Sequence, residues 1–490
     1  MVMFCTLKQR LMHLILAILS LGMVVAGSLL ATPLNNVFDT QPIYTPFGHD
    51  AFFVEKEKGE IRFHISPFYQ QTSTARDGDG KKVPGGDRLD KWNMFGVFFG
   101  SGGDPKGAAG LELNYPAALG PAKTAVAVAT NQAIAAQNHY HANADLTLES
   151  NFKPDMYKFA FFSVPTNYEK IGLRSQLNID FGFGLGVAVK GGVVDVKNKP
   201  RSFNLVDEQF ARDVGLPVST AGTNSSDEAD GVIIYNALFE PTARDAVAKD
   251  LGLSLKPYQK TALEDLHVQC YWNAPLDLAD NKGETAVIFI PRIALGVWIP
   301  TGEENDAAEA FFVPTGNNGF FGGTVDASLG LDFPVLPKGH SLQFNLGGGF
   351  MFSSEKDEDN QRIHSSELQS GIIHWKTSIK HRPGTTWYMN ASMMADGVVD
   401  GLAMFFDFIY TQHLADSITL KTADATQKAA FEAGLPRTIR ETAWKNQQVN
   451  GGFNYKIAEA LSVGGAVQAH ISGVRVMRSV TLLGGVTLTF

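Results

Sequence analysis

From Leu173 to Leu185 the chain alternates. Leu173, Ser175, Leu177, Ile179, Phe181, Phe183 and Leu185 share one parity, and Arg174, Gln176, Asn178, Asp180, Gly182 and Gly184 the other. Successive side chains of a strand point to opposite faces, so this run predicts a strand with one apolar and one polar face. The same period sets Leu342, Phe344, Leu346 and Phe350 against Gln343, Asn345, Gly347 and Gly349, and Val325, Ala327, Leu329 and Leu331 against Thr324, Asp326, Ser328 and Gly330. Shorter runs around Ile61, Ile373, Val449 and Leu461 follow it too. None has the 3.6-residue period of a helix.

Both a soluble β-sandwich and a membrane barrel alternate in this way, and strand length separates them. Runs that hold phase as long as 173–185 match a tilted membrane-spanning strand, whereas strands of globular sheets are about half that length. After residue 31 no apolar run approaches the roughly 20 residues of a spanning helix, although 44% of residues are hydrophobic. A closed barrel reconciles these facts, because each strand gives lipid only every second residue.

At the end of the sequence Val480, Leu482, Gly484, Val486, Leu488 and Phe490 alternate with Ser479, Thr481, Leu483, Gly485, Thr487 and Thr489. This strand resembles the terminal strand of bacterial outer-membrane β-barrel proteins of the porin-like kind. The resemblance implies a bacterial outer-membrane location among lipid and lipopolysaccharide. It also implies that Phe490, Leu488 and Val486 form the signal read by the barrel-assembly machinery.

Connection lengths supply an independent count. Outer-membrane barrels have short periplasmic turns and long outer loops. Counting back from Phe490, the short connections at 457–460, 413–416, 381–384 and 334–340 fall on the periplasmic side, and the long stretches at 421–440, 353–366, 301–318 and 198–260 fall outside. The expectation is an all-β, closed antiparallel transmembrane β-barrel of about 16 strands, within a range of 12 to 16, spanning residues 59–490. Helical insertions are expected near 118–141, which is alanine-rich, and near 198–266, as loop decoration or as a segment folded into the lumen.

The first residues read differently. Lys8 and Arg10 precede an apolar run, and Val24 and Ala26 offer a small-residue cleavage site, so residues 1–26 read as a signal peptide and 27–58 as a periplasmic segment. The formal net charge is -9 and becomes more negative once Lys8 and Arg10 are removed, which argues against nucleic acid as a partner. Cys270 is then the only cysteine, and no intramolecular disulfide can form.

No Walker loop, HExxH, CxxC or GxSxG sequence occurs, so no cofactor, metal site or catalytic role is expected. The glycine-rich 182–186 stretch reads as part of a strand facing the lumen. Histidines and acids at inward positions, namely His64, His374, His470, Asp180 and Asp326, read as solvated lumen groups. The acidic run 355–359 reads as exterior surface charge. The predicted pore lining comprises Arg62, Arg174, Asp180, Arg292, Asp326, Lys376, Lys380 and Lys456, with a basic excess that predicts anion preference. The function expected is a porin-like channel for small hydrophilic solutes, built as a single chain or a homo-oligomer. The alternatives are a plugged barrel acting as a structural or adhesive surface protein and a transporter of hydrophobic compounds.

Overall fold

The computed structural model describes residues 59–89, 92–93, 161–201, 204–205, 252–279, 285–336, 340–364, 376–421 and 425–490. The leader, the 27–58 segment and the 118–141 insertion lie outside these residues, as does most of the 198–266 insertion. The described part of that last insertion is strand, not helix.

Twelve strands form the barrel: β1 (Glu60–Thr72), β2 (Thr166–Asp180), β3 (Leu185–Pro200), β4 (Leu266–Asn273), β5 (Thr285–Ile299), β6 (Gly322–Leu336), β7 (His340–Ser353), β8 (Thr386–Val399), β9 (Leu402–His413), β10 (Trp444–Ala458), β11 (Leu461–Val474) and β12 (Val480–Thr489). Each pairs antiparallel with its neighbours in sequence, and β12 returns to pair with β1, for example Ile65 opposite Val486 and Phe63 opposite Leu488. Phe490 and Ile61 exchange two backbone hydrogen bonds across this seam. Closure removes the free sheet edges that a membrane would leave unpaired.

Every strand places large apolar side chains outward. Leu173, Ile293, Leu346, Met389, Phe406, Val467 and Leu482 stand exposed, each on the apolar parity of its run. In water such a band would be a severe liability, and in lipid it is the surface the solvent requires. The exposed Phe181, Phe183 and Phe490 lie at the rim where the short turns gather, as interface aromatics do.

Turn lengths sort by rim. The β2–β3, β6–β7, β8–β9 and β10–β11 connections are short and share the rim of Glu60 and Phe490, while every connection at the opposite rim except β11–β12 is long. The 182–186 glycines do not sit inside one strand. Gly182 and Gly184 have φ of 81° and 76° and make the β2–β3 turn, so the alternating run 173–185 continues through a hairpin tip.

The count is 12, at the low end of the expected range, for a visible reason. Lys356–Arg362, Lys376–Arg382 and Ser417–Leu420 pair with one another as a separate three-stranded sheet above the long-loop rim. At seven, seven and four residues they are too short to span, since a tilted spanning strand needs about 9–11. Reading the last two as spanning strands assigns 381–384 and 413–416 to the periplasmic side, whereas both lie at the long-loop rim; the first falls in the 353–366 stretch expected to be an outer loop. A helix, α1 (Ala425–Thr442), packs on this sheet in a stretch that reads as polar loop. Phe431, Leu435 and Ile439, four residues apart, form its apolar face and meet Ile363, Ile379 and Ile418 in a small core of their own. Sheet and helix together make a cap.

Candidate functional site in the barrel interior

The inward parity of the twelve strands carries the chemistry. It is polar along much of the wall: Gln70, Gln176, Asn390, Asn446, Gln448, Asn450 and Gln468 are all buried there. It is not uniformly so. Phe68, Tyr168, Trp298, Met351, Met394, Phe405, Trp444 and Leu483 belong to one buried apolar cluster on the same parity. The expectation of a polar lumen therefore covers only part of the wall.

A β-bulge organises one side of the mouth. A strand at Tyr258–Leu263 pairs with the upper half of β3, with Leu263 opposite Val193, and β4 continues the pairing with His267 opposite Lys190. Residues 264–266 thus oppose only Gly191 and Gly192. The extra residue breaks the two-residue alternation, so the adjacent Glu264 and Asp265 are both buried. Gly192 makes room for the first: a Cβ there would stand 2.6 Å from the Glu264 carboxylate.

The two acids do different work. Glu264 accepts from Lys170 Nζ at 2.7 Å and from Arg174 Nε and Nη2 at 2.6 Å each. The Arg174 guanidinium lies 4.1 Å from the Phe68 ring centroid. Asp265 accepts from the backbone N–H groups of Thr301, Gly302 and Asn317, pinning both ends of the β5–β6 loop to the wall. Thr315 Oγ1 adds a bond to the Leu263 carbonyl at 3.0 Å.

Deeper in the interior, pairing lines His64, Gln176, Lys190, His267 and Trp298 into one row across β1 to β5. His267 stacks on Trp298 with ring centroids 4.3 Å apart and contacts Thr324 Oγ1 through Nε2 at 3.1 Å. Asp326 accepts from Tyr388 Oη and Gln269 Nε2, both at 2.6 Å. Arg292 lies over the Tyr271 ring at 5.2 Å. Several buried polar atoms of the wall have no protein partner among the described residues, among them Ser328 Oγ, Asn345 Oδ1, His470 Nε2 and both ends of the Asn450 amide. Groups of this kind are satisfied by water or solute.

The residues expected to line the pore divide. Arg62, Arg174, Asp180, Arg292 and Asp326 lie on the inward parity of barrel strands, Arg62 paired to Glu60 and Asp180 capping the Gly182 amide. Lys376 and Lys380 are on the cap, exposed, with Lys380 paired to Glu355 at 2.6 Å. Lys456 is exposed at the short-turn end of β10. Sequence reasoning missed Lys170, Lys190, Glu264 and Trp298. Lys170 and Lys190 follow the same alternation as Arg174 and were legible, but Glu264 faces inward only because of the bulge.

The cap holds a second buried polar group. His381 bridges Glu358 at 2.6 Å and Asp416 at 2.9 Å, and Asp416 also accepts from His413 and from the Gly384 amide. Burial opposes a charge on His381, but the hydrogen bonds and negative charges of Asp416 and Glu358 outweigh it and lift its pKa to about 9. The same contacts overcome burial at Asp416 and hold its carboxyl well below the usual range. Glu358 belongs to the acidic 355–359 run, which is therefore not wholly solvated surface charge.

No protein-family model and no curated protein matches the chain. The chain is a closed antiparallel β-barrel with an apolar outer face, as outer-membrane barrels are. Solved structures of such barrels align with most of it at low identity. An outer-membrane channel from Pseudomonas putida covers 89% of this chain and 99% of its own at 9% identity, with a TM-score of 0.41. The translocator domain of the autotransporter NalP from Neisseria meningitidis covers 93% and 100% at 8% identity and 0.34. The transport unit of the autotransporter AIDA-I from Escherichia coli covers 94% and 100% at 8% identity and 0.33.

Proposed function

We propose that this barrel is a channel of the bacterial outer membrane through which small hydrophilic solutes diffuse, with no catalytic step. The observation that carries the reading is the set of buried wall atoms on β6, β7, β10 and β11 without partners among the described residues, which need water or solute inside the barrel. Lipid and lipopolysaccharide would meet the outward apolar band, and the assembly machinery would read Phe490, Leu488 and Val486.

A second reading has its own support. The interior cluster of Phe68, Trp298, Met351, Met394 and Phe405 gives an apolar surface to a passing hydrophobic compound. Single-channel conductance of the refolded chain in a planar bilayer tests the first reading. Stable ionic steps support it. A folded barrel that is silent to ions yet speeds entry of a hydrophobic dye into liposomes favours the second.

A further inference from the structure

Beside the bulge the interior wall forms a half-open recess of about 50 Å³, lined by Arg174, Gln176, Lys190, Glu264, Asp265 and Trp298 among others. That space suits a hydrated ion or a single carboxylate or phosphate group, not a large solute.

The charges on its wall do not cancel. Glu264 is shared between Lys170 and Arg174, so this trio carries one net positive charge. Asp265 adds a negative charge, held by three backbone amides, so together with Lys190 the five groups sum to one positive charge. Lys190 makes no ion pair and no hydrogen bond among the described residues. Asp326, whose charge reaches Lys190, is held by Tyr388 and Gln269 and shares its field with Arg292. The indole Nε1–H of Trp298, 95% buried, has no acceptor among the described residues. Indole N–H and ammonium are both donors only, so a group that satisfies them must be an acceptor, and the positive balance selects an anion.

We propose that Lys190 and Trp298 hold an anionic group, a halide, carboxylate or phosphate, as a resting point for anionic solutes inside the barrel. As a step in permeation this rests on the channel reading; as a binding site it does not.

The test uses the full chain refolded in detergent, with iodide as the probe. Trp298 emission is isolated by subtracting the signal of Trp298→Phe, and its quenching by iodide is compared with quenching by caesium at equal ionic strength. With each ion normalised to its quenching of free N-acetyltryptophanamide, the expected result is quenching by iodide about threefold stronger than by caesium, the enrichment an uncompensated charge produces at close range in a partly screened site. Lys190→Gln brings the two quenchers to parity, Lys190→Arg retains the difference, and added phosphate competes with iodide. Equal quenching in the parent, or an iodide advantage that survives Lys190→Gln, overturns the site. Heat-modifiable electrophoretic mobility confirms that each variant is folded. Bilayer recordings on the same samples separate the two claims. Conductance without any iodide advantage removes the site and leaves the channel, whereas an iodide site in a barrel silent to ions removes the channel and leaves the site.

Discussion

Glu264 shows how much one side chain can carry in this interior. Its carboxylate is the partner of two cations, the buried Lys170 and the part-buried Arg174. Removing one member of such a group leaves charge without compensation where little water reaches, at a cost of about 3–5 kcal/mol. Glu264→Gln is therefore expected to lower the thermal midpoint of the refolded barrel strongly, followed by the loss of its heat-modifiable electrophoretic shift. A midpoint within a degree or two of the parent would mean that the trio contributes little. Gly192 tests the same place sterically: Gly192→Val sets a side chain against the Glu264 carboxylate and the Leu173 carbonyl, and should reduce the folded yield, with Gly191→Ala as the mild control. Arg174 and Asp326 could be read as inward residues from their parity alone. Glu264 and Asp265 could not, because two neighbours facing the same side violate strand alternation, and only the pairing with Gly191 and Gly192 reveals the extra residue.

At the scale of elements the cap is a unit with its own core and its own ionic lock. The stability that His381 adds follows from the sign of its shift. Its folded pKa of about 9 lies above the ordinary 6.5, so its contribution is complete below 6.5 and is lost as pH rises through about 9. The full shift corresponds to roughly 3 kcal/mol. Hydrogen exchange of the Ile379 and Ile418 amides should accelerate between pH 7 and 10 by more than the intrinsic base dependence, and His381→Gln should abolish that excess. Asp416 titrates at the other end: its depressed pKa stabilises the cap above the ordinary carboxylate range, and that share is lost only in strong acid. The apolar spacing of Phe431, Leu435 and Ile439 was visible in the sequence of α1, but Pro436 and the polar neighbours gave the stretch the look of a loop. A face of three residues becomes a helix only when a surface receives it, and here the cap sheet does.

For the whole molecule the prediction concerns conduction and its control. Residues 206–250 lie between β3 and the Tyr258–Leu263 strand, so deleting them spares both elements. If the channel reading holds, the shortened chain still refolds and produces stable steps, and the ratio of its conductance to that of the full chain measures how far this insertion restricts the lumen. A larger conductance marks the insertion as a plug. Unchanged conductance with lost binding to cells or matrix marks it as an adhesive loop instead.

The sequence by itself determined which face of each long strand meets lipid, because a two-residue period leaves no freedom once one parity is apolar and the other polar. It also determined which connections are long, and the terminal pattern that pairs β12 with β1. Tertiary structure alone decided the number of strands, since the segments around 376–382 and 417–420 alternate as spanning strands do and are excluded only by length and by the partners they find, which include the polar 356–362 stretch. It alone also decided what the barrel encloses. Inward positions are fixed locally, but whether a cation there finds Glu264, as Lys170 does, or no ion-pair partner among the described residues, as Lys190 does, depends on which residues closure brings across the lumen.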